Sequence, residues 1–496
     1  MKIVINKNDK TPLYLQIYGQ VKDMIFKGTL VDGYPLPSER GLAKDLGIHR
    51  NTVIRAYSEL RDEGLISSHQ GISYRVSYGS LPCQKVRKPV NWEALVKEEY
   101  DSFESDFDDL FSKSYEAHLI SFAGGVAARE PYSTAEIAAA FGRILKKKNN
   151  KPYFYTPYQG DKDLRGEIAD FMSRKGIITK PGNIQIFSEN NQALDFLLTL
   201  MLSPGDKVVV PDIMSPDVYR TVQLAGGEVI TVPMDGEGMV CHNLEALLER
   251  ERPRFIYVDS SFNNPTGVLL SLERRKRLLE LSYKYRIPII EEDEGSELYY
   301  RTKAIPSIKS MDTGNNILYM YSFSLTMIPG VGISFVITDR EVASKLSKLV
   351  SARLVTLDWA PQMLMLEYMR SGLFMERLDA FRKVCGEKQN LMNRYLRRLR
   401  KNFAIEYALP AGGVYFWIKL PDGMEGKSLL AEAQKEGVAF IPGNAFYTKK
   451  SLGNNYIRLN YSYPTKEEIK EGMEKLEIAM RRTQELVHKK SKQLVL

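Results

Sequence analysis

A chain of 496 residues exceeds one ordinary domain, and its 44% hydrophobic and 26% charged residues are typical of folded, soluble proteins. A formal net charge of +8 is compatible with a nucleic-acid partner, but many enzymes are equally basic. No apolar run is long enough for a membrane span, no secretory signal opens the chain, and the three cysteines lie far apart. We therefore expect a cytoplasmic protein without a membrane segment, a disulfide framework or a metal site.

The first part of the chain, residues 1–78, has the pattern of three helices followed by two short strands. Thr11 is predicted to cap the first helix with its hydroxyl, and Pro12 is predicted to be the first helical residue. Apolar residues then recur every four positions, at Leu13, Ile17, Val21 and Ile25. A second helix is predicted from Pro37 to Gly47, and a third from near His49 or Asn51 to Gly64. Strands are predicted at 65–66 and 74–76. This order indicates a winged helix-turn-helix.

The third helix of this unit has the polar pattern of a DNA recognition helix. Its inner face carries Val53, Ala56 and Leu60, so its polar residues project from the opposite face and from the N-terminal end. Such a position suits contacts with base edges and phosphates in the major groove. Residues of the second helix and of the predicted wing would contact the flanking DNA backbone. A simple solvated helix surface is the alternative. The predicted DNA-binding residues are Ser38, Arg40, Arg50, Asn51, Thr52, Arg55, Gln70 and Gly71.

Three segments of this unit resemble the GntR-type winged helix. They read TPLYLQIYGQVKDMIFKGTL, PLPSERGLAKDLGIHRNTVIRAYSELRDEGLI and HQGISYRV, and together they span nearly the whole unit. His49 departs from the family pattern, which usually has a small hydroxyl residue at this helix cap. The resemblance implies a double-stranded DNA operator as partner.

Residues 79–118 are predicted to be a linker. The segment lacks strand periodicity, begins with a basic stretch and then turns acidic in EEYDSFESDFDD. Charge runs of this kind are usually solvated connectors. We assign this segment no function beyond tethering.

The remaining residues, 119–496, alternate buried-strand signals with helical stretches. KVVVPD, RFIYVDSSF, IPIIEEDE, NILYMYSFS and GISFVITD are short apolar runs, and helical segments such as LERRKRLLELSYKY lie between several of them. This pattern favours an α/β domain around a largely parallel sheet. Neither a GxxxxGK phosphate loop nor a dinucleotide GxGxxG motif is present.

Motifs in this part resemble the fold-type I pyridoxal-phosphate (PLP) transferases, the aspartate aminotransferase superfamily. They include SENNQALDFLLTLMLSPGDKVVV, NNPTG, IIEEDE, SFSLTMIPGVGISF and YIRLNYS, in the expected order. A GntR-type winged helix joined to such a domain is the MocR (GabR-like) architecture. The resemblance implies a large part at about 165–370, a small part from 119–150 and 371–496, and a homodimer with PLP as the expected cofactor.

Several positions of the family's cofactor site are retained. Asn264 matches the asparagine that touches the cofactor's phenolic oxygen, and Ser322 and Ser324 match hydroxyls that bind its phosphate. Arg458 matches the arginine that binds a ligand's α-carboxylate, and Gly125 matches a glycine in the same pocket. A structural salt bridge is the alternative role for Arg458.

Other positions of that site are changed. Leu325 stands where the family has the Schiff-base lysine, and leucine forms no imine. Gly332 replaces a phosphate-binding arginine, and Glu189 with Asn190 replaces the Gly-Ser that opens the phosphate-binding helix. The aspartate that faces the pyridine nitrogen becomes Glu292, a nearby tyrosine becomes Glu294, and the stacking aromatic becomes Ser215. Lys303 and Lys309 are expected at the surface, so covalent PLP binding is not expected.

The sequence therefore predicts a DNA-binding transcription regulator whose second domain senses an effector and forms dimers, without transaminase activity. Its effector would be an amino acid or small carboxylate, or PLP held without a covalent bond. The predicted effector-binding residues are Gly125, Asn190, Asn264, Glu292, Ser322, Ser324 and Arg458. Three alternatives stay open: a scaffold without ligand, an aminotransferase that uses another lysine, and an interaction protein whose winged helix has lost DNA binding.

Overall fold

A computed structural model divides the chain into two units, Met1–Glu98 and Glu99–Leu496. The described residues are 1–7, 9, 11–68, 74–77, 119–125, 128, 130, 133–146, 155–327 and 330–493. The predicted linker at 79–118 lies outside them, as do the predicted DNA-binding residues Gln70 and Gly71.

The described part of the first unit contains three helices and a two-stranded antiparallel sheet. These elements are α1 (Leu13–Phe26), α2 (Glu39–Leu46), α3 (Arg50–Asp62), β1 (Ile66–Ser67) and β2 (Arg75–Val76). Ile17, Val21 and Ile25 of α1 are buried against Val53 and Leu60 of α3, as the apolar periodicity predicts. The predicted winged helix-turn-helix is confirmed.

The start of α1 differs from the prediction that Thr11 caps it. Pro12 occupies the capping position itself, and no side-chain hydrogen bond caps the helix. The two ends of α2 lie where the sequence predicts them. Ser38 Oγ accepts the Gly41 N–H at 3.1 Å, and Gly47 ends α2 at φ 60°, a left-handed conformation that favours glycine.

The N-terminus of α3 is capped by an imidazole. His49 Nδ1 accepts the Asn51 N–H at 3.3 Å, so histidine takes the place of the usual capping hydroxyl. We expect His49→Ala to destabilise α3 by about 0.5–2 kcal/mol, whereas His49→Ser retains an acceptor and changes it by only a few tenths. Amide hydrogen exchange in α3 measures this. Equal exchange rates in the two variants would contradict the capping role.

The second unit contains a seven-stranded sheet. Its strands are β4 (Ile184–Phe187), β5 (Lys207–Pro211), β6 (Glu228–Val232), β9 (Phe255–Asp259), β10 (Ile289–Glu292), β11 (Ile317–Ser322) and β12 (Ser334–Ile337). They lie in the order β4–β12–β11–β10–β9–β5–β6. Neighbouring strands are parallel, except that β12 is antiparallel to both β11 and β4. Because both faces are covered by helices, these strands are near-continuous apolar runs, and the predicted α/β class is confirmed.

The other strands of the second unit include those of a smaller antiparallel sheet. They are β3 (Ile120–Ser121), β7 (Met234–Asp235), β8 (Gly238–Met239), β13 (Glu406–Tyr407), β14 (Tyr415–Lys419), β15 (Val438–Ala439), β16 (Ile441–Pro442) and β17 (Tyr456–Asn460). The smaller sheet has the order β13–β14–β17–β16. The helices that surround both sheets are α4 (Thr134–Lys146), α5 (Lys162–Arg174), α6 (Asn190–Met201), α7 (Pro216–Leu224), α8 (Leu244–Glu251), α9 (Leu272–Tyr285), α10 (Ile308–Met311), α11 (Arg340–Arg353), α12 (Trp359–Arg370), α13 (Leu373–Phe403), α14 (Gly426–Lys435) and α15 (Lys466–Gln493).

Two elements of the segment 119–150, which is predicted to belong to the small part, pack in different places. β3 pairs in parallel with β15, which joins it to the C-terminal part. However, α4 packs beside α12 instead, and Ala140 and Ile144 are buried in the cluster that contains Leu364. β3 and α4 therefore contact different parts of the second unit, because they carry separate apolar surfaces.

Candidate functional site

The outer face of α3 places its predicted DNA-binding side chains in solvent. Arg50, Asn51 and Arg55 are exposed, and Thr52 is half-buried. Arg50 Nη2 lies 2.8 Å from Glu39 Oε2, and the Arg55 guanidinium lies 3.9 Å from the ring centroid of Tyr14. These contacts orient both arginines without burying their charges, which suits phosphate or base contacts.

The two predicted residues at the start of α2 differ in their surroundings. Arg40 is exposed on the first turn of the helix. Ser38 is also exposed, but its hydroxyl oxygen already accepts the capping hydrogen bond from Gly41. Ser38 thus has a structural role that its predicted DNA contact would have to share.

A cavity of about 500 Å³ opens at the carboxyl ends of β9 and β10 in the second unit. Ligands in open α/β sheets generally bind at this edge. Six of the seven predicted effector-binding residues line it: Gly125, Asn190, Asn264, Glu292, Ser324 and Arg458. The seventh, Ser322, is fully buried behind Ser324, with its Oγ 2.9 Å from the Ser324 Oγ.

Arg458 forms one wall of the cavity and is 1% exposed. Its Nη1 donates to Asn264 Oδ1 at 2.8 Å, and its Nη2 donates to the Ala123 carbonyl oxygen. Its guanidinium lies 4.5 Å from the ring centroid of Tyr415. Tyr415 also explains Gly125, since a Cβ at that position would lie 2.8 Å from the tyrosine hydroxyl. These contacts hold a cation rigidly at the cavity wall.

Glu292 lies at the end of β10, with both carboxylate oxygens hydrogen-bonded. Asn190 Nδ2 donates to its Oε1 at 2.8 Å, and the Tyr257 hydroxyl donates to its Oε2. Burial raises the pKa of Glu292, while these two donors lower it. The sequence prediction identified Asn190 and Glu292 but missed Tyr257.

Further carboxyl groups surround Glu292. Asp259 ends β9 and is the direct register partner of Glu292 on β10, and Glu294 and Asp217 also line the cavity. Burial and the neighbouring carboxylates raise the pKa values of Asp259 and Glu294 well above their usual range. The sequence prediction missed Asp217 and Asp259. Their positions at the start of α7 and at the end of β9 were the available signal, since strand ends of a parallel sheet meet at one edge.

Glu189 replaces the family's glycine before α6, and it hydrogen-bonds the predicted phosphate hydroxyl. Ser324 Oγ donates to Glu189 Oε2 at 2.8 Å. A Cβ at Gly332 would lie 2.5 Å from Glu189 Oε1 and 2.6 Å from the Ser188 carbonyl oxygen. The carboxylate at 189 and the glycine at 332 are therefore spatially coupled.

Leu325 lines the cavity and is 7% exposed. No lysine occurs among the described residues of the cavity lining. Lys303 is exposed, as expected. The expectation that Lys309 lies at the surface is wrong, since its side chain is only 11% exposed. Its Nζ lies 3.2 Å from Asp312 Oδ2 and donates to the Ile317 carbonyl oxygen at 3.0 Å, and these two contacts hold the side chain against the protein.

Comparison with protein families gives two matches along the chain. The bacterial regulatory protein family gntR matches residues 13–76, and the class I and II aminotransferase family matches residues 129–476. The chain belongs to the GntR-type regulators that carry a class I and II aminotransferase domain. The resemblances to both families are thereby confirmed.

Known relatives of this regulator include both regulators and enzymes. It is 33% identical to a 2-aminoadipate transaminase from Thermus thermophilus, over 79% of this chain and 98% of the relative. It is 28% identical to the HTH-type transcriptional regulator YdfD from Bacillus subtilis, over 95% of this chain and 96% of the relative. It is 24% identical to the probable rhizopine catabolism regulatory protein MocR from Rhizobium meliloti, over 89% of this chain and 88% of the relative. The regulators match along nearly the whole chain.

A solved structure of a relative confirms the fold of the second unit. LysN, an α-aminoadipate aminotransferase from Thermus thermophilus, superposes with a TM-score of 0.74 at 30% identity, covering 80% of this regulator and 100% of the enzyme. PLP is the cofactor expected of this aminotransferase family. No helix in the described part of the chain is long and apolar enough to cross a membrane.

Proposed function

We propose that the aminotransferase-like domain of this regulator senses a small effector and pairs two copies of the chain, without transaminase activity. The observation that carries this proposal is Leu325 at the Schiff-base position, in a cavity whose described lining holds no lysine. An aminotransferase needs that amine to hold its cofactor and to shuttle the proton. The winged helix supplies the output, because its exposed arginines suit a DNA operator.

The residues of the cavity do not fit PLP. A phosphate dianion beside the carboxylate of Glu189 would be repelled, and Glu189 already accepts the hydrogen bond of Ser324. No arginine can replace Gly332 without displacing Glu189. The aldehyde of the cofactor has no amine to react with at Leu325.

Arg458 is the residue that we propose binds an effector's carboxylate. Its guanidinium is buried at the cavity wall and is oriented by Asn264 and by the Ala123 carbonyl. A planar guanidinium in a buried setting suits bidentate binding of a carboxylate. An effector that binds one conformational state more tightly than another would change operator affinity by that difference.

A homodimer is the assembly that we propose. Tyr155 and Val355 are 76% and 75% exposed, and Tyr158 is also exposed. The segments that carry them lie side by side, since the Thr156 N–H donates to Thr356 Oγ1 at 3.0 Å. Exposed large apolar and aromatic side chains from adjacent segments are typical of a protein interface, and a second copy related by two-fold symmetry is the commonest partner.

An absorbance experiment tests the loss of cofactor chemistry. We expect purified protein incubated with PLP to return to plain protein absorbance after dialysis, and borohydride treatment to label no lysine peptide. The transaminase relative, treated in parallel, serves as the positive control. A visible aldimine band that borohydride fixes onto a lysine of this chain would contradict the proposal and favour a working aminotransferase with a DNA-binding domain.

A further inference from the structure

The charges around the cavity are strongly unequal. Among the described lining residues, five carry a carboxyl group and one, Arg458, carries a permanent positive charge. The five acidic residues are Glu189, Asp217, Asp259, Glu292 and Glu294. A ligand with only negative groups would meet one attractive and several repulsive partners, so the cavity as a whole favours a ligand that is also positively charged.

The acidic groups are concentrated at one place. Asp259 and Glu292 are register partners at the ends of adjacent parallel strands, and Glu294 follows Glu292 by two residues and lines the same cavity. The Asn264 N–H donates to Asp259 Oδ2 at 2.9 Å, so Asp259 is positioned from the same loop that contacts Arg458. The cavity therefore has a cationic wall and an acidic end.

A second observation also indicates a hydrogen-bond donor as ligand. Asn190 lines the cavity and is 8% exposed. Its Nδ2 donates to Glu292, which leaves the Oδ1 as an acceptor, and that oxygen has no hydrogen-bond partner among the described residues. A buried amide oxygen without a donor costs free energy, which a ligand N–H beside Glu292 would recover.

We propose that the effector is an amino acid with a positively charged side chain, of the lysine, ornithine or arginine type. Arg458 binds its carboxylate, and Asp259, Glu292 and Glu294 bind its cationic end together with the Asn190 Oδ1. This inference rests on the proposed effector-sensing role of the cavity. The volume of about 500 Å³ is in the range of small-molecule sites. No group of three or more side chains suited to hold a metal ion occurs in the described residues, so an organic cation is the favoured ligand.

Binding of such a cation is expected to release protons. Burial and mutual repulsion raise the pKa values of Asp259 and Glu294 well above their usual range, and burial raises that of Glu292. A cation bound beside these three carboxyl groups lowers their pKa values, which favours loss of the protons that they carry. The affinity should therefore rise with pH. The titratable and charged groups that share the cavity with these three are Glu189 before α6, Asp217 on α7, Tyr257 on β9, Tyr415 on β14 and Arg458 on β17.

Isothermal titration of the full-length protein tests the ligand class. L-lysine, L-ornithine and L-arginine are the probes, and L-norleucine, which has lysine's chain length without the amine, is the matched control. We expect at least one basic amino acid to bind about tenfold or more tightly than norleucine, with proton release visible as a buffer-dependent enthalpy. Equal affinity for norleucine, absence of binding by all three basic probes, or tighter binding of PLP would each overturn the inference.

Two variants locate the cationic end. Asp259→Asn and Glu294→Gln should each weaken binding of the basic amino acid about tenfold while leaving norleucine binding unchanged. Glu341→Gln on α11, with its side chain 77% exposed, is the matched control and should change neither. Near-ultraviolet circular dichroism shows whether each variant is folded. If one variant has lost this signal, the other variant still tests where the cationic end binds. Unchanged lysine binding in a folded variant contradicts the inference, whereas retained operator binding by the same protein keeps the regulator proposal intact.

Discussion

Replacement of both Arg50 and Arg55 with alanine should lower operator affinity about 100-fold or more. Each well-formed contact of a recognition helix with a base edge contributes about 1–3 kcal/mol, and each 1.4 kcal/mol is tenfold in affinity. Both guanidiniums are exposed on the outer face of α3, and Glu39 and Tyr14 orient them without burying them. The fold should survive, because the buried residues of α3 are untouched.

The operator itself can be found by selection from a random duplex library with the unmodified protein. Fluorescence anisotropy at fixed salt then compares the variants on the selected duplex, and a salt series shows how many phosphates the two arginines neutralise. Arg61→Ala is the matched control, since Arg61 is exposed in the last turn of the same helix, away from its N-terminal end. Equal losses of affinity for Arg61→Ala and for the double variant would indicate general charge attraction and contradict a recognition helix.

Replacement of Arg275 with alanine should destabilise the second unit by about 3–5 kcal/mol. Arg275 is fully buried on α9. Its Nε donates to the Leu270 carbonyl at 2.9 Å, its Nη2 donates to the Ser260 carbonyl at 2.5 Å, and its Nη1 lies 3.8 Å from Glu291 Oε1. Loss of the guanidinium leaves these acceptors without that donor and Glu291 without its cation. Because Ser260 follows Asp259, the change also loosens the acidic end of the cavity.

The destabilisation by Arg275→Ala should be larger at pH 8 than at pH 5. Burial raises the pKa of Glu291 from 4.5 to about 7, and Arg275 opposes that rise. Between pH 4.5 and about 7, Glu291 keeps its proton in the folded protein and releases it in the unfolded chain, so the free energy of unfolding falls as pH rises. Without Arg275 the pKa of Glu291 rises further and the fall extends to higher pH.

Urea unfolding followed by circular dichroism at both pH values measures the effect. Arg277→Ala on the same helix is the control, because its side chain is 41% exposed and its ion pair with Glu245 is a surface contact. A pH-independent loss of stability for Arg275→Ala would mean that hydrogen bonds to the carbonyls, and not the pairing with Glu291, account for its role.

The DNA-binding unit was predicted closely from its sequence, because most of its structure is local. Periodic apolar residues such as Ile17, Val21 and Leu60 face one core, and Ser38 and Gly47 bound α2 as helix caps do. The histidine cap at His49 was not predicted, since an imidazole acceptor has no strong positional preference. The prediction of Thr11 as a cap was wrong, because a shift of one residue at a helix start depends on how the preceding segment packs.

The cavity was predicted only in part. Leu325, Glu189 and Gly332 could be identified as changed positions because the surrounding motifs align without gaps. Their consequence could not, since the contact of Glu189 with Ser324 joins residues 135 positions apart. Tyr257 is missed because it resembles any other strand residue until the neighbouring strand is placed beside it, whereas the position of Asp259 at the end of β9 was a usable signal.

The sequence by itself determined which elements form, which family patterns the chain carries and which chemical groups it lacks, because periodicity, caps and motif order are local properties. Only the tertiary structure decided which side chains share a cavity. Parallel pairing of β9 with β10 sets Asp259 opposite Glu292, and the distant strand β17 brings Arg458 to Asn264. The charge of the site is the sum over residues far apart in the chain, so it exists only once the sheet has assembled.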